Sequence, residues 1–313
     1  MLLQIVLLIA GLALVIFGAD WLVDGASGIA RRAGISEFVI GLTIVGFGTS
    51  CPELVVSLTG AFEGLADISI GNVVGSNIFN TLLILGLTSL IAPLAITKAN
   101  KTRDIPIVFG VTLLLVLFGK FNNDISRLEG IIFLIVFALY IWYCFKFTPR
   151  ETGTDNDSNE KQLKLWQAIG LVIAGLAGLI IGGRLFVDSA TEIATMLGVS
   201  EKFIAITVLA LGTSLPELAT CVVAAAKHKG QLALGNILGS NIFNILLILG
   251  ASAVVTPLNF GSMNWVDLGV LLLSCIVLFT SCYVAKRDEI DRVDATVMLL
   301  CQAGYMAWLF INL

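Results

Sequence analysis

The chain has 313 residues, of which 58% are hydrophobic and only 13% are charged. Ordinary soluble domains have about 45–50% apolar and about 25% charged residues, and the mean hydropathy of this chain is +0.99. This composition excludes an ordinary water-soluble domain and predicts a polytopic membrane protein whose main partner is the lipid bilayer. The net charge is only −4 and no long basic run occurs, so we expect no nucleic-acid binding.

Ten apolar segments follow one another along the sequence, and a membrane-spanning helix needs about 20 such residues. The first is long enough for one tilted helix, whereas the fourth is short for a span. We predict an all-α protein with ten transmembrane helices, at about 2–30, 37–62, 68–92, 105–119, 128–147, 165–194, 202–226, 232–256, 265–285 and 293–312.

The two halves of the chain are copies of each other. Adding 164 to the residue number maps Glu53 onto Glu217 and Asn80 onto Asn244, and residues 71–86 match residues 235–250 at 13 of 16 positions. Self-similarity at a fixed offset indicates a duplicated structural unit. Each unit has five predicted spans, an odd number, so the second copy must enter the membrane from the opposite side. Inverted repeats of this kind are typical of secondary transporters.

The first five-helix unit is predicted at 1–147 and the second at 165–313, with the most similar stretches at about 37–92 and 202–256. Residues 148–164 between them are polar and lack apolar periodicity, which is typical of a linker. With the N-terminus outside, 14 of the 18 Lys and Arg residues fall on the linker side, 3 fall on the other side and Arg184 lies within a span. The positive-inside rule then places both termini outside the cell membrane and the linker in the cytoplasm.

Two polar motifs interrupt the apolar sequence of each half. Gly-Thr-Ser-Cys-Pro-Glu at 48–53 recurs as Gly-Thr-Ser-Leu-Pro-Glu at 212–217, and Gly-Asn-x-x-Gly-Ser-Asn-Ile-Phe-Asn occurs at 71–80 and 235–244. A carboxylate in mid-membrane is costly unless it faces a cavity, a partner or an ion. Glu53 and Glu217 have no dedicated Lys or Arg within the membrane, so we infer that a mobile cation supplies their countercharge.

Proline and glycine in these motifs predict broken helices at the centre of the membrane. Pro52 and Pro216 lack a backbone donor and disfavour helical geometry in the preceding residue. Broken helices at this depth are tolerated where released carbonyls line a cavity or hold ions. The carbonyls of Gly46 and Ala210 are among those that we expect to be released.

The other candidate ligands are the hydroxyls of Ser50, Ser76, Ser214 and Ser240 and the amide oxygens of Asn80 and Asn244. Such oxygens suit hard cations such as Ca²⁺, which takes 6–8 oxygen ligands, whereas soft transition metals prefer His or Cys. Small polar residues in membrane helices also serve close helix packing, so the two Glu residues are the central candidates. Asp24 and its repeat mate Asp188 lie toward helix ends, where we expect bonds between helices or to lipid headgroups.

The doubled motifs resemble the α-repeats of the cation/Ca²⁺ exchanger superfamily, specifically the prokaryotic Na⁺/Ca²⁺ exchangers, and the resemblance covers all ten spans. It implies alternating access to one central site, with Na⁺ entry driving Ca²⁺ extrusion and the first and sixth helices sliding. It also implies four adjoining ion positions. Glu53 and Glu217 would bridge several of them, the backbone oxygens of Thr49 and Thr213 would complete a Ca²⁺ position, and the four serines with the carbonyls of Gly46 and Ala210 would form Na⁺ positions.

One position departs from a pattern common in the family. Members often have Asp at the position of Asn80 or Asn244, as K⁺-dependent exchangers do, but this chain has Asn in both halves. The site then has a formal charge of −2. With the stoichiometry that the resemblance implies, we expect K⁺-independent, electrogenic exchange of 3 Na⁺ for 1 Ca²⁺, without a cofactor or an obligate protein partner.

Other functions remain open at this stage. A Ca²⁺/H⁺ antiporter of the same fold could carry protons on the two Glu residues, and another divalent ion such as Mn²⁺ could replace Ca²⁺. An intramembrane hydrolase could use Ser50 or Ser214, but no His or Lys is positioned as a base, so we expect no enzyme. Inverted repeats with broken helices favour a transporter over a channel.

Overall fold

The computed structural model describes residues 1–147, 163–198, 210–261, 263–284 and 288–312. Most of the predicted linker at 148–164, and the start of the predicted span at 202–226, lie outside these residues. Within them the protein is mostly helical, as the composition predicts. The α-helices are α1 Leu2–Ala33, α2 Glu37–Ile40, α3 Gly46–Thr49, α4 Cys51–Phe62, α5 Ala66–Ile78, α6 Leu85–Ile91, α7 Ile105–Leu117, α8 Arg127–Phe147, α9 Leu165–Met196, α10 Ala210–Thr213, α11 Leu215–Ala226, α12 Gly230–Ile242, α13 Gly250–Val255, α14 Trp265–Tyr283 and α15 Arg292–Ile311.

Several of these helices are joined end to end by short π-helical segments. The segments are Gly41–Val45, Phe79–Ile84, Asn100–Asp104, Phe118–Asn122 and Phe243–Leu249. Two of them flank α7, so the fourth predicted segment forms a helical run from Asn100 to Asn122 rather than the short helix expected at 105–119. The polar residues Asn100 and Asp104 are buried in this run, which explains why an apolar window missed its start.

When segments joined end to end are counted as one helix, seven described helices are long and apolar enough to cross a membrane, or eight if one bent pair counts as a single span. Two of the seven are the joined runs Ala66–Ile91 and Gly230–Val255. The bent pair is Glu37–Thr49 with Cys51–Phe62. The protein is therefore an integral membrane protein. The count of ten spans stays a prediction, because the start of the seventh segment lies outside the described residues.

The two longest described helices, α1 and α9, have 32 residues each and pack backbone against backbone. Glycines at 11, 18 and 25 recur every seven residues, about two helical turns, and so lie on one face of α1. A Cβ at Gly18 would lie 2.8 Å from the nitrogen of Leu179, and one at Gly25 would lie 2.6 Å from the oxygen of Ala168. No larger side chain fits there unless the helices separate.

Two short antiparallel ribbons connect the halves. Leu94–Ala95 pairs with Glu289–Ile290, and Asp124–Ile125 pairs with Leu258–Asn259. Each half therefore contributes one strand to each ribbon. Each half also has one tyrosine–aspartate contact: Tyr140 Oη donates to the buried Asp104 at 3.1 Å, and Tyr305 Oη donates to the partly buried Asp267 at 2.8 Å.

Candidate ion-binding site

The first polar motif forms a break between two helices. Helix α3 ends at Thr49, Ser50 leaves helical geometry with φ −83° and ψ 5°, and α4 begins at Cys51 with Pro52 in its first turn. The axes on either side of the break differ by 49°. Proline fits the first turn of a helix because its missing N–H would have no partner there. The break lies where the sequence predicted it.

The second copy repeats this geometry. Helix α10 ends at Thr213, Ser214 has φ −86° and ψ 2°, and α11 begins at Leu215 with Pro216 in its first turn. Ala210 is the first residue that the structure describes after the gap at 199–209, and its backbone is helical.

The break places each glutamate in the first turn of a helix that begins inside the protein. Glu53 lies in the first turn of α4 and Glu217 in that of α11, and each is only 1% exposed. Unpaired N–H groups at a helix N-terminus favour a negative charge. The two carboxylates are also close enough to interact electrostatically. The fold therefore concentrates negative charge at one buried point.

Side chains from opposite halves meet around Glu217. Ser50 Oγ lies 3.0 Å from Glu217 Oε1 and 3.0 Å from Ser240 Oγ, and Ser240 Oγ lies 3.5 Å from the same carboxylate oxygen. The hydroxyl of Thr49 also faces Glu217. The site is thus one cluster formed by both halves rather than two separate sites.

The surroundings of Glu53 are similar but not identical. Ser76 Oγ lies 3.5 Å from Glu53 Oε1, and the hydroxyl of Thr213 faces the same carboxylate. Ser214 is the repeat mate of Ser50, yet its hydroxyl is buried without a hydrogen-bond partner among the described residues. The two halves therefore bring together the same residue types with different contacts.

Buried oxygen atoms without hydrogen-bond partners are the most informative feature of the cluster. Within the described residues these include Oε2 of Glu53, Oε2 of Glu217, Oδ1 of Asn80 and Oδ1 of Asn244. Buried acceptors are normally satisfied, since leaving one unpaired costs about 1–3 kcal/mol and more for a charged group. Carboxylate and amide oxygens are ligands for hard cations. These atoms fit an ion as their missing partner.

The carbonyl of Gly46 is less free than the helix-break argument predicted. It accepts the backbone N–H of Ser50 at 3.1 Å and lies 3.4 Å from Thr49 Oγ1. A carbonyl oxygen has two lone pairs, so an ion could share it, but the break does not release it. The backbone hydrogen bond from Ser50 N–H to the Gly46 oxygen is therefore kept at the end of α3.

Two pairs of asparagines in the repeated motif contribute contacts that the sequence reasoning missed. Asn72 Nδ2 donates to the backbone oxygen of Glu53 at 3.1 Å, and its repeat mate Asn236 accepts from Thr49 Oγ1 at 3.2 Å. Asn77 and Asn241 form the other pair and connect the two halves. Their identity in both copies was the signal that could have identified them.

A cavity of about 390 Å³ adjoins this cluster, and we call it the access cavity. Its walls include Cys51, Val56, Arg184, Thr213 and Pro216. Thr213 and Pro216 flank the break next to Glu217, whereas Val56 lies further along α4. The cavity therefore lies between α4, α9 and the break before α11, next to the region of the carboxylates.

Ion pairs join α1 to the residue that follows α11. Lys227, directly after α11, has its Nζ 2.7 Å from a carboxylate oxygen of Asp20 and 2.7 Å from one of Asp24. Partial burial opposes the charge of Lys227, but the two aspartates outweigh it and raise the pKa of Lys227. The expected interhelical bonding of Asp24 is confirmed.

The repeat mate of Asp20 is Arg184, and the repeat mate of Lys227 is Glu63. The acidic and the basic residue of the pair therefore exchange places between the two halves. Arg184 lines the access cavity, and both residues belong to the described part of the chain. No ion pair joins these two described residues.

The described residues contain no group of three or more His, Cys, Asp or Glu side chains that could hold a metal ion. The cluster instead combines two carboxylates with neutral hydroxyl and amide oxygens. Such a site can bind hard cations without the fixed set of charged ligands that holds an ion permanently. The fold and the cluster together define a polytopic membrane protein with a buried candidate site for a cation.

Comparison with known proteins identifies the family. The profile of the family described as "Sodium/calcium exchanger protein" matches residues 3–146 and 167–311. The chain is 38% identical to the "Putative antiporter CaxA" of Alkalimonas amylolytica over 99% of both chains. It is 33% identical to the "Sodium/calcium exchanger MaX1" of Methanosarcina acetivorans over 97% of both chains. A solved structure of the sodium-calcium exchanger NCX_Mj superposes with a TM-score of 0.85 at 32% identity, covering 97% of this chain and 98% of that chain. The protein belongs to the sodium/calcium exchanger family.

Proposed function

We propose that this protein is an antiporter that exchanges Na⁺ for Ca²⁺ across the cell membrane by alternating access to one central site. The observation that carries the proposal is the set of buried, unpartnered oxygens on Glu53, Glu217, Asn80 and Asn244. The family, and the exchange activity in the names of similar proteins, support it. The ions are the transported substrates.

The ion positions follow the resemblance described above. Glu53 and Glu217 bridge neighbouring positions, and the backbone oxygens of Thr49 and Thr213 complete the Ca²⁺ position. The hydroxyls of the four serines, with the carbonyls of Gly46 and Ala210, serve Na⁺. The contact of Ser50 and Ser240 with Glu217 supports the proximity that this assignment needs.

The stoichiometry that the resemblance implies can be compared with the charge of the site. Two glutamates give a formal charge of −2, which one Ca²⁺ balances and three Na⁺ exceed by one. We propose that exchange is electrogenic at 3 Na⁺ to 1 Ca²⁺. We also propose that it needs no K⁺, because both halves have Asn at positions 80 and 244.

The proposed topology has ten spans in two inverted five-helix repeats, with both termini outside and the linker at 148–164 in the cytoplasm. The ribbons that exchange strands between the halves support a two-fold relation. In this topology the access cavity opens to the outside and the Lys227 ion pairs lie on the cytoplasmic side. The glycine-packed helices α1 and α9 can then slide as one body to exchange the open side.

A Ca²⁺/H⁺ antiporter remains the alternative, because the same two glutamates could carry protons. The serine hydroxyls near both carboxylates favour Na⁺. Other divalent ions in place of Ca²⁺ are a variant of the same mechanism.

Flux into proteoliposomes separates these possibilities. Vesicles loaded with Na⁺, K⁺ or choline at equal internal and external pH are diluted into ⁴⁵Ca²⁺. Uptake only with internal Na⁺, faster at inside-positive potential, supports electrogenic Na⁺/Ca²⁺ exchange. Uptake that does not depend on internal Na⁺ and is driven by an imposed pH gradient would show that the counter-ion is H⁺ rather than Na⁺. Competition by Mn²⁺ and Sr²⁺ then ranks the divalent ions.

A further inference from the structure

Asn77, which none of the arguments above uses as an ion ligand, connects the two halves beside the site. It is 2% exposed, and its Nδ2 donates to the backbone oxygen of Asn241 at 3.2 Å. A backbone carbonyl can only accept a hydrogen bond. This contact therefore fixes which end of the Asn77 amide is the donor, and its Oδ1 must point the other way.

The oxygen of Asn77 then fixes the next amide. Asn244 Nδ2 donates to Asn77 Oδ1 at 2.9 Å. With its nitrogen held in this contact, Asn244 presents Oδ1 on the opposite side, where that oxygen is buried without a partner. An amide turned the other way would present N–H donors, which repel a cation. In this relay the Asn241 carbonyl fixes the orientation of the Asn77 amide, and Asn77 fixes the Asn244 amide so that its Oδ1 is the atom left without a partner among the described residues.

The other half lacks this relay. Asn241 is the repeat mate of Asn77, but its Nδ2 donates to the hydroxyl of Thr81 at 2.8 Å. Its Oδ1 has no partner among the described residues, so it does not hold Asn80 as Asn77 holds Asn244. The repeat mate of Thr81 is Ile245, which has no hydroxyl. The two halves differ here by sequence and by contact.

We propose that Asn77 is a positioning residue that holds the Asn244 amide with its oxygen toward the transported cation. Asn244 is then the stronger of the two amide ligands, and Asn77 helps to set ion affinity without touching the ion. This inference rests on the proposed function, because it assigns one ligand of the same site.

A double-mutant cycle tests the relay through ⁴⁵Ca²⁺ binding at equilibrium to the purified full-length protein, which needs no counter-ion gradient. Asn77→Ala should weaken Ca²⁺ binding about tenfold, because an unrestrained amide loses much of its value as a ligand. In an Asn244→Asp background the same change should cost less than about twofold, since either carboxylate oxygen can accept the ion. Asn241→Ala is the matched control and should change affinity less than Asn77→Ala.

A further variant adds a second criterion. Asn77→Leu keeps the approximate size of the side chain but has neither a donor for the Asn241 carbonyl nor an acceptor for Asn244 Nδ2, so it should weaken Ca²⁺ binding as Asn77→Ala does. If Asn77→Ala does not elute as a single peak in size-exclusion chromatography, Asn77→Ser replaces it in the cycle, because its hydroxyl is too short to reach Asn244.

Three outcomes would overturn the relay. They are equal losses in both backgrounds, wild-type Ca²⁺ binding in Asn77→Leu, and an Asn241→Ala loss as large as that of Asn77→Ala. A wild-type protein that binds no Ca²⁺ would instead contradict the proposed function itself. The two failures are therefore distinguishable.

Discussion

Replacing either buried glutamate by glutamine tests the charge of the site with minimal change in shape. Glu217 is 1% exposed, and one of its carboxylate oxygens lies 3.0 Å from Ser50 while the other has no partner in the described residues. Glutamine keeps the size and one acceptor oxygen, removes the negative charge and adds N–H donors. Glu53→Gln makes the same change in the first half.

The expected loss follows from the value of a buried charged contact. Removing one partner of such a contact costs about 2–5 kcal/mol, because the other charge stays buried without compensation. Each 1.4 kcal/mol is a factor of ten in affinity. Because one of two charges disappears, we expect each variant to lose about 30-fold to 4,000-fold in Ca²⁺ affinity and to lose transport.

The assay is ⁴⁵Ca²⁺ binding and flux, with thermal unfolding to verify that each variant folds. Glu63→Gln is the matched control: Glu63 is an exposed carboxylate that follows the same helix α4, ten residues after Glu53. It should bind Ca²⁺ as the wild type does. Wild-type flux in Glu53→Gln or Glu217→Gln would refute the site assignment.

Other parts of the structure give further predictions. Gly18→Val should lower the thermal midpoint and transport, since overpacking typically costs about 1–3 kcal/mol and a Cβ at Gly18 would meet the backbone of Leu179. Gly170→Val, where a Cβ has open space, should leave the thermal midpoint unchanged, and an equal loss would refute the backbone packing. Cys51→Ala should be nearly silent in flux, because Leu215 occupies the matching position of the other half; lost transport would make the thiol a ligand. If α1 and α9 slide, Glu63→Cys with Arg184→Cys should form a disulfide only when the access cavity closes, and cross-linking that ignores Na⁺ and Ca²⁺ would contradict this.

The sequence predicted the main features of the site because the repeat made them visible. A single offset of 164 paired Glu53 with Glu217, and proline placed both helix breaks within one residue of where they occur. Local physics is sufficient for such features. A proline and an unpaired mid-membrane carboxylate have consequences that do not depend on distant parts of the chain.

Contacts between the halves could not be predicted in the same way. That Ser50 reaches Glu217 of the other half, and that Ser214 does not make the equivalent contact, depends on tertiary packing. The start of the fourth helix was missed because the buried polar residues Asn100 and Asp104 hide it from an apolar window. Asn77 and Asn72 were visible as repeated residues, but their partners lie on other helices.

The measurement that tests the central claim most directly is competition between Na⁺ and ⁴⁵Ca²⁺ at equilibrium on the purified protein. If both ions share the site built on Glu53 and Glu217, Na⁺ should displace all bound Ca²⁺ with a Hill coefficient above 1, at equal ionic strength maintained with choline. K⁺ should not displace it. Bound Ca²⁺ that Na⁺ leaves in place, or that K⁺ displaces equally well, would contradict the proposal that one buried site carries both ions.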